Sequence, residues 1–315
     1  MLKVHEFFSV ATQLAYNAAI IINQIRLSAD IGQKWKGIDD PVTIADVKAQ
    51  TYIIQQLHKH WPQLKIVGEE TTVYDQPIDL PDTNCNLYTE DIFTTTPNNL
   101  KVRTQYEIED LCVWVDPLDG TLDFVQGDFD CVTTLIGLSY KKKALMGIIS
   151  QPFVKIADKQ YEFKPKIYFG HHPQRRVFYT YDTQSQIPFE LLKPSYNPSN
   201  IVLCTQNKRI DETKLEKIKS LGCSLLQMGG SGKKSLTILE SKADLYLYLG
   251  IRMSKWDICA PDALFQAFGG RFVGLEGQIY EYNSEDKIYD NPYGHLASIH
   301  NELVDKFLPK TTGML

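Results

Sequence analysis

The sequence predicts an α/β protein built of layered sheets covered by helices, and three observations carry that reading. From Ile201 onward, strand-like and helix-like segments alternate. Leu111-Cys112-Val113-Trp114-Val115 is apolar at every position, as in a strand covered on both faces. The chain also opens on an amphipathic helix: Phe7, Val10, Ala11, Leu14, Ala18 and Ile21 recur at helical spacing, and Gln13, Asn17, Asn23 and Gln24 fill the other face.

The remaining elements follow in order. Asp40 to Trp61 reads as a second helix, entered through the turn Asp40-Pro41-Val42-Thr43 and stopped by Pro62. Leu64 to Gly68 is a short buried strand that runs into Glu69-Glu70. Residues 71 to 109 are rich in Pro, Asn, Asp and Thr without periodicity, which marks an insertion or lid. Cys131–Ser139 and Ala144–Gln151 read as strands joined at Tyr140-Lys141-Lys142-Lys143. Short strands are expected around Ile167–Phe169 and Arg176–Tyr179, then a proline-spaced linker over Pro188–Pro198. Beyond it come strands at Ile201–Thr205, Ser224–Met228 and Ala243–Leu249, and helices at Glu212–Leu221, Ser235–Ser241 and Asp257–Phe268. Two lobes are expected, over residues 1–165 and 166–315.

Composition narrows the function. The chain has 315 residues, 43% of them hydrophobic, enough for a large core and too many for a disordered chain. Its net charge of −5 excludes a coat or arm for a nucleic-acid polymer, which needs a strong basic excess. An anionic partner then needs a local source of positive charge. Glu6 interrupts the start of the chain, so it does not read as a secretory signal, and no uninterrupted apolar run is long enough for a membrane span. The six cysteines form no C-x-x-C pair, which points to reduced thiols in a cytoplasmic protein.

The sharpest segment is Trp114-Val115-Asp116-Pro117-Leu118-Asp119-Gly120-Thr121. A wholly apolar strand ends in two aspartates three residues apart. Carboxylates this dense repel one another, and a divalent cation is the economical compensation; Mg²⁺ prefers hard oxygen ligands. Asp116, Asp119 and the Leu118 carbonyl can each offer one. Gly120 and Thr121 open a turn or helix whose amides can face a phosphate. Glu69 also follows a buried strand, although alone Gly68-Glu69-Glu70 reads as a surface turn. Asp257 opens a helix and alone reads as a cap. Thr43 and Asp46, three apart near a helix start, form a capping pattern or a water-activating pair.

These blocks, in this order, resemble the magnesium-dependent, lithium-sensitive phosphomonoesterase superfamily typified by inositol monophosphatase. Its signature D-P-(I/L)-D-G-T is matched by Asp116 to Thr121, its upstream G-E-E by Gly68 to Glu70, and its downstream W-D-x-x-A-x by Trp256 to Pro261. The long insertion after Glu70 and the acidic Asp123 are similar to the 3′(2′),5′-bisphosphate nucleotidase branch, as is Gly229-Gly230-Ser231-Gly232-Lys233-Lys234. Two departures stand out. Leu122 occupies the position where that branch carries Lys, and Thr205-Gln206-Asn207-Lys208-Arg209 lacks its His.

The resemblance implies an α-β-α-β-α sandwich with the active site between two lobes. It implies Mg²⁺, up to three ions, held by Glu69, Asp116, the Leu118 carbonyl, Asp119 and Asp257, with Li⁺ as inhibitor. Five carboxylates, Asp46 included, against three such ions leave a cleft of about +1, so metal is expected to be obligatory for an anionic substrate. Asp46 and Thr121 would orient and deprotonate a metal-activated water for in-line attack. Gly120 and Thr121 would hold the transferred phosphate; Ser231, Lys234, Lys208 and Asp257 would contact the rest of the substrate. That substrate is expected to be 3′-phosphoadenosine 5′-phosphate (PAP) or its sulfated relative (PAPS), acted on by a monomer. The rival reading is an inositol polyphosphate 1-phosphatase acting on inositol 1,4-bisphosphate, as sole or second activity.

Overall fold

The structure, a computed structural model, describes residues 1–37, 40–181, 183, 189–190, 199–208 and 210–315. The expected linker over 188–198 lies outside these residues apart from Phe189–Glu190. In chain order the elements are β1 (Leu2–Lys3), α1 (Val4–Arg26), β2 (Lys34–Gly37), β3 (Asp40–Val42), α2 (Ile44–His60), β4 (Lys65–Gly68), β5 (Gln105–Tyr106), β6 (Leu111–Asp119), α3 (Thr121–Gln126), β7 (Thr133–Tyr140) and β8 (Lys143–Ala157). They continue as β9 (Gln160–His171), β10 (Arg176–Thr180), β11 (Phe189–Glu190), β12 (Val202–Gln206), α4 (Glu212–Lys219), β13 (Ser224–Met228), α5 (Ser231–Leu239), β14 (Leu245–Tyr248), α6 (Lys255–Ala267), β15 (Arg271–Val273), β16 (His295–Ser298) and α7 (Asn301–Thr311).

Two sheets organise these elements. The larger has strand order β11-β10-β9-β8-β7-β6-β4, and the smaller β13-β12-β14-β16-β15. In the larger sheet every pair is antiparallel except β4 with β6. In the smaller, β12 runs parallel to both β13 and β14. The expected lobe boundary at 165/166 falls inside β9, whose pairing with β8 runs on to His171.

Each amphipathic helix finds an apolar sheet face, which fixes five layers. Helix α1 covers β7, β8 and β9, and α2 covers β6, both on one face of the larger sheet. Helix α6 packs on β6 to β9 and also on β15, while α5 touches β7, β12 and β14, so both lie between the sheets. On the far face of the smaller sheet, Ile218 of α4 and Leu303, Val304 and Phe307 of α7 pack with Leu203, Leu245 and Leu296. The result is the α-β-α-β-α order expected above.

Close approach of α6 depends on two glycines. Gly137 of β7 pairs with Gly147 of β8, and α6 lies directly over them. A Cβ at Gly137 would sit 2.7 Å from the Cys259 sulfur, and one at Gly147 would overlap the Ala260 carbonyl oxygen.

Several boundaries differ from the sequence reading. The helix expected over 40–61 starts only at Ile44, because Asp40–Val42 pairs with Lys34–Gly37 as a hairpin. Thr43 is its N-cap, in a capping box closed by Asp46. Helix α5 begins at Ser231, four residues before the expected start, for a reason that lies in the site. Residues 71–109 hold little regular structure, yet Leu87, Tyr88, Phe93 and Tyr106 anchor them in the core. Among the described residues no helix is long and apolar enough to cross a membrane.

Candidate active site

Strand β6 continues through Asp116-Pro117-Leu118-Asp119 and ends only at Asp119. In a regular strand, residues three apart point to opposite faces. Here the pairing of β6 with β7 shifts register between Asp116 and Asp119. Pro117 has no N–H for the ladder, Leu118 N donates to Asp116 Oδ1 (3.0 Å), and the Pro117 carbonyl accepts from Thr134 Oγ1 (2.9 Å). The irregularity turns both aspartates into one cleft. There Asp257 joins them, with one ligand atom from each of the three lying within 4.8 Å of the others.

Each carboxylate is held from behind. Asp119 accepts from the backbone N–H of Ser231 (2.8 Å) and Gly232 (2.7 Å) and from Thr133 Oγ1 (2.8 Å). This is why α5 starts at Ser231: its first amides have an anion as partner. Asp257 Oδ2 accepts from Ser254 N (2.6 Å), placing it in the first turn of α6 and not at the cap itself. Glu69 follows β4, and its amide donates to the Val115 carbonyl (3.0 Å), which brings it beside Asp116.

The charges are strained against one another. Burial, then Glu69, Asp119 and Asp257, raise the Asp116 carboxyl well above the usual range. Burial raises Asp119 against the pull of Lys234 and the Ser231 amide, and burial followed by Asp119 and Glu69 raises Asp257. Lys36, on the β2–β3 hairpin, reaches Glu69 Oε1 (2.8 Å) and Glu70 Oε1 (2.9 Å).

A second constellation adjoins the first. Asp46 Oδ2 accepts from Thr43 N (2.7 Å) and Thr43 Oγ1 (2.6 Å). Thr121 Oγ1 lies 2.9 Å from Asp46 Oδ1 and 2.9 Å from the Leu118 carbonyl, and its one proton serves one of them at a time. Burial pushes the Asp46 carboxyl up to about 7. One turn further along α2, Gln50 clamps the next segment: Glu70 N donates to its Oε1 (2.9 Å) and its Nε2 donates to the Glu70 carbonyl (2.5 Å).

The cleft has a volume of about 720 Å³ and is lined by Glu69, Asp116, Leu118, Asp119, Gly120, Thr121, Lys208, Ser231, Lys234 and Asp257, together with Lys36, Asp123, Tyr246, Tyr248, Ile251 and Arg252. The substrate contacts expected from sequence are placed unequally. Ser231 turns inward, its Oγ donating to the Asp257 carbonyl (3.2 Å). Lys234 is buried, with Nζ donating to the Gly230 carbonyl (2.5 Å) and lying over the Tyr246 ring. Lys208 forms an ion pair with Asp123. Asp46 lines no part of the cleft itself and reaches it through Thr121.

Sequence reasoning missed Lys36, Gln50, Thr133 and the role of Asp123. Nothing local marks them. Lys36 lies 33 residues from Glu69, Gln50 lies 20 from Glu70, and Asp123 lies 85 from Lys208. The one available signal is that Gln50 follows Asp46 by four positions, on the same face of α2.

Comparison with known proteins places the chain in a family. The profile of the inositol monophosphatase family matches residues 3–309. The 3′(2′),5′-bisphosphate nucleotidase 1 of Dictyostelium discoideum is 32% identical over 309 residues, covering 95% of this chain and 94% of that protein. The human protein of the same name is 29% identical, covering 92% and 90%. Among solved structures, the extragenic suppressor protein suhB from Bartonella henselae superposes with a TM-score of 0.68 at 16% identity, covering 98% of this chain and 99% of that one. The chain belongs to the inositol monophosphatase family.

Proposed function

We propose that the protein removes the 3′-phosphate of PAP to give AMP, and acts on PAPS in the same way, in a reaction that requires Mg²⁺ and is inhibited by Li⁺. The observation that carries this reading is the convergence of Asp116, Asp119 and Asp257 beside the Asp46–Thr121 pair in one cleft. Similarity to bisphosphate nucleotidases over nearly the full chain supports the substrate class.

The donor set suits a hard divalent cation. It is all oxygen, Asp116 and Asp119 are buried with Asp257 and Glu69 half-buried beside them, and its members raise one another's affinity for positive charge. Glu69, Asp116, the Leu118 carbonyl, Asp119 and Asp257 would hold up to three ions. Bound Mg²⁺ supplies charge for the phosphoryl oxygens and makes a water more acidic. The side chains do the rest. Glu69, paired with Lys36, would give up that partner to hold the cation. When Thr121 donates to Leu118, its oxygen and Asp46 Oδ1 can both accept from one water, and Asp46, with its affinity for a proton near neutrality, takes that proton. The bond from water oxygen to phosphorus forms as the bond to the 3′-oxygen breaks, and that oxygen takes a proton from solvent water to leave as the 3′-hydroxyl of AMP. Amides of Gly120 and Thr121 would hold the transferred phosphate, and Lys208, Lys234 and Ser231 the nucleotide side. A cytoplasmic monomer completes the reading; six cysteines without a disulfide, four of them buried, support a reducing setting.

Phosphate release from PAP, inositol 1,4-bisphosphate and inositol 1-phosphate, with and without Mg²⁺ and Li⁺, tests this. The expected result is the highest kcat/KM on PAP, lost without Mg²⁺ and suppressed by Li⁺. Preference for inositol 1,4-bisphosphate establishes the rival substrate, and no release from PAP overturns the proposal.

A further inference from the structure

Several lysines approach the cleft, and their partners differ. Lys36 is taken by Glu69 and Glu70, Lys233 by Asp130 Oδ2 (2.9 Å), and Lys234 turns inward to the Gly230 carbonyl. Lys208 is different. It follows β12 of the smaller sheet and meets Asp123 of α3, so its ion pair crosses the seam between the sheets. Its side chain keeps 30% of its surface exposed, while that of Asp123 keeps 5%. The buried partner is fixed: a Cβ at Gly229 would overlap the Asp123 carboxylate, so the turn between β13 and α5 closes on it from behind. Asp123, Lys208 and Gly229 all line the cleft.

An ammonium has three donors, and one carboxylate oxygen uses one. A lysine held in this way has its rotamers restricted before any ligand arrives, so less freedom is lost on binding. Leu122 brings no charge to this wall. We propose that Asp123 is a positioning residue: it holds Lys208 as the grip for the second, non-transferred phosphate of a bisphosphorylated substrate. This rests on the substrate reading above and adds the residue that makes the second phosphate count.

The test compares KM for PAP with KM for adenosine 3′-monophosphate, which lacks the second phosphate. Asp123→Asn should raise the KM for PAP relative to the monophosphate by about tenfold with little change in kcat. Lys208→Met should do the same, and the double variant should be no worse than either alone. Asp123→Glu, which keeps the charge, should recover most of the loss. Gly229→Ala, which displaces the carboxylate without removing it, gives a second route to the same shift if Asp123→Asn does not fold. Equal effects on both substrates, independent effects that multiply, or a lower KM for PAP would each overturn the tether. If the unmodified enzyme releases no phosphate from PAP, the substrate reading itself fails; if it prefers PAP and the variants keep that preference, only the tether fails.

Discussion

Asp119 is held by two helix amides and a threonine hydroxyl. Asp119→Asn keeps the shape and removes the charge. Its kcat with Mg²⁺ should fall by roughly 10³-fold or more, with an unchanged circular dichroism spectrum. Near-normal turnover would remove Asp119 from the metal set. Asp46 sits one step back, reaching the cleft through Thr121. Asp46→Asn should lower kcat with a modest change in KM; a raised KM alone would make it a binding residue. At this scale the sequence was legible where chemistry is contiguous. The Asp116 to Thr121 string, Glu69 and Asp257 stand beside strand or helix ends that pattern alone locates. Asp123 and Lys36 were illegible because each acts through a partner far along the chain.

Helix α6 couples packing to the site, since the same element that lies on Gly137 and Gly147 carries Asp257. Gly147→Ala should cost about 1–3 kcal/mol in urea unfolding, because the helix must move off the sheet. The same shift should weaken Mg²⁺ binding in a calorimetric titration; a stability loss with unchanged Mg²⁺ affinity would mean that Asp257 is positioned independently of its helix. Element identity was mostly readable from period and caps. Boundaries were less so, for local reasons. The entry to α2 is a hairpin because Asp40–Val42 found a partner in Lys34–Gly37. The early start of α5 is set by a carboxylate from another sheet, which no window on residues 231–240 contains. The bulge that gathers Asp116 and Asp119 follows from Pro117, and period-two strand logic alone would have separated them.

The five-layer order depends on which face each helix covers; the alternation of elements after Ile201 pointed only to sheets covered by helices, and the order of the layers came from the family resemblance. The net charge of −5 gave no hint that several acids converge. Their convergence makes stability depend on pH. Asp46 moves from an ordinary 3.8 to about 7 through burial, and Asp116, Asp119 and Asp257 are also raised. A folded state with raised carboxyl pKa values holds more protons than the unfolded chain, so its stability falls as pH rises through that window. In chelator, Tm should therefore drop between about pH 5 and about pH 8, and Mg²⁺ should raise Tm most at the upper end, where the carboxylates are bare. A Tm that rises with pH in chelator, or that ignores Mg²⁺, would mean the acids are compensated some other way. The central claim concerns which phosphate is removed and what removal requires, and phosphorus NMR of PAP incubated with the enzyme reads both. The account predicts that the 3′-phosphate resonance disappears on addition of Mg²⁺, inorganic phosphate appears in equal amount, and the 5′-phosphate persists as AMP. Loss of the 5′-phosphate first, or the same loss of the 3′-phosphate in chelator, would contradict it.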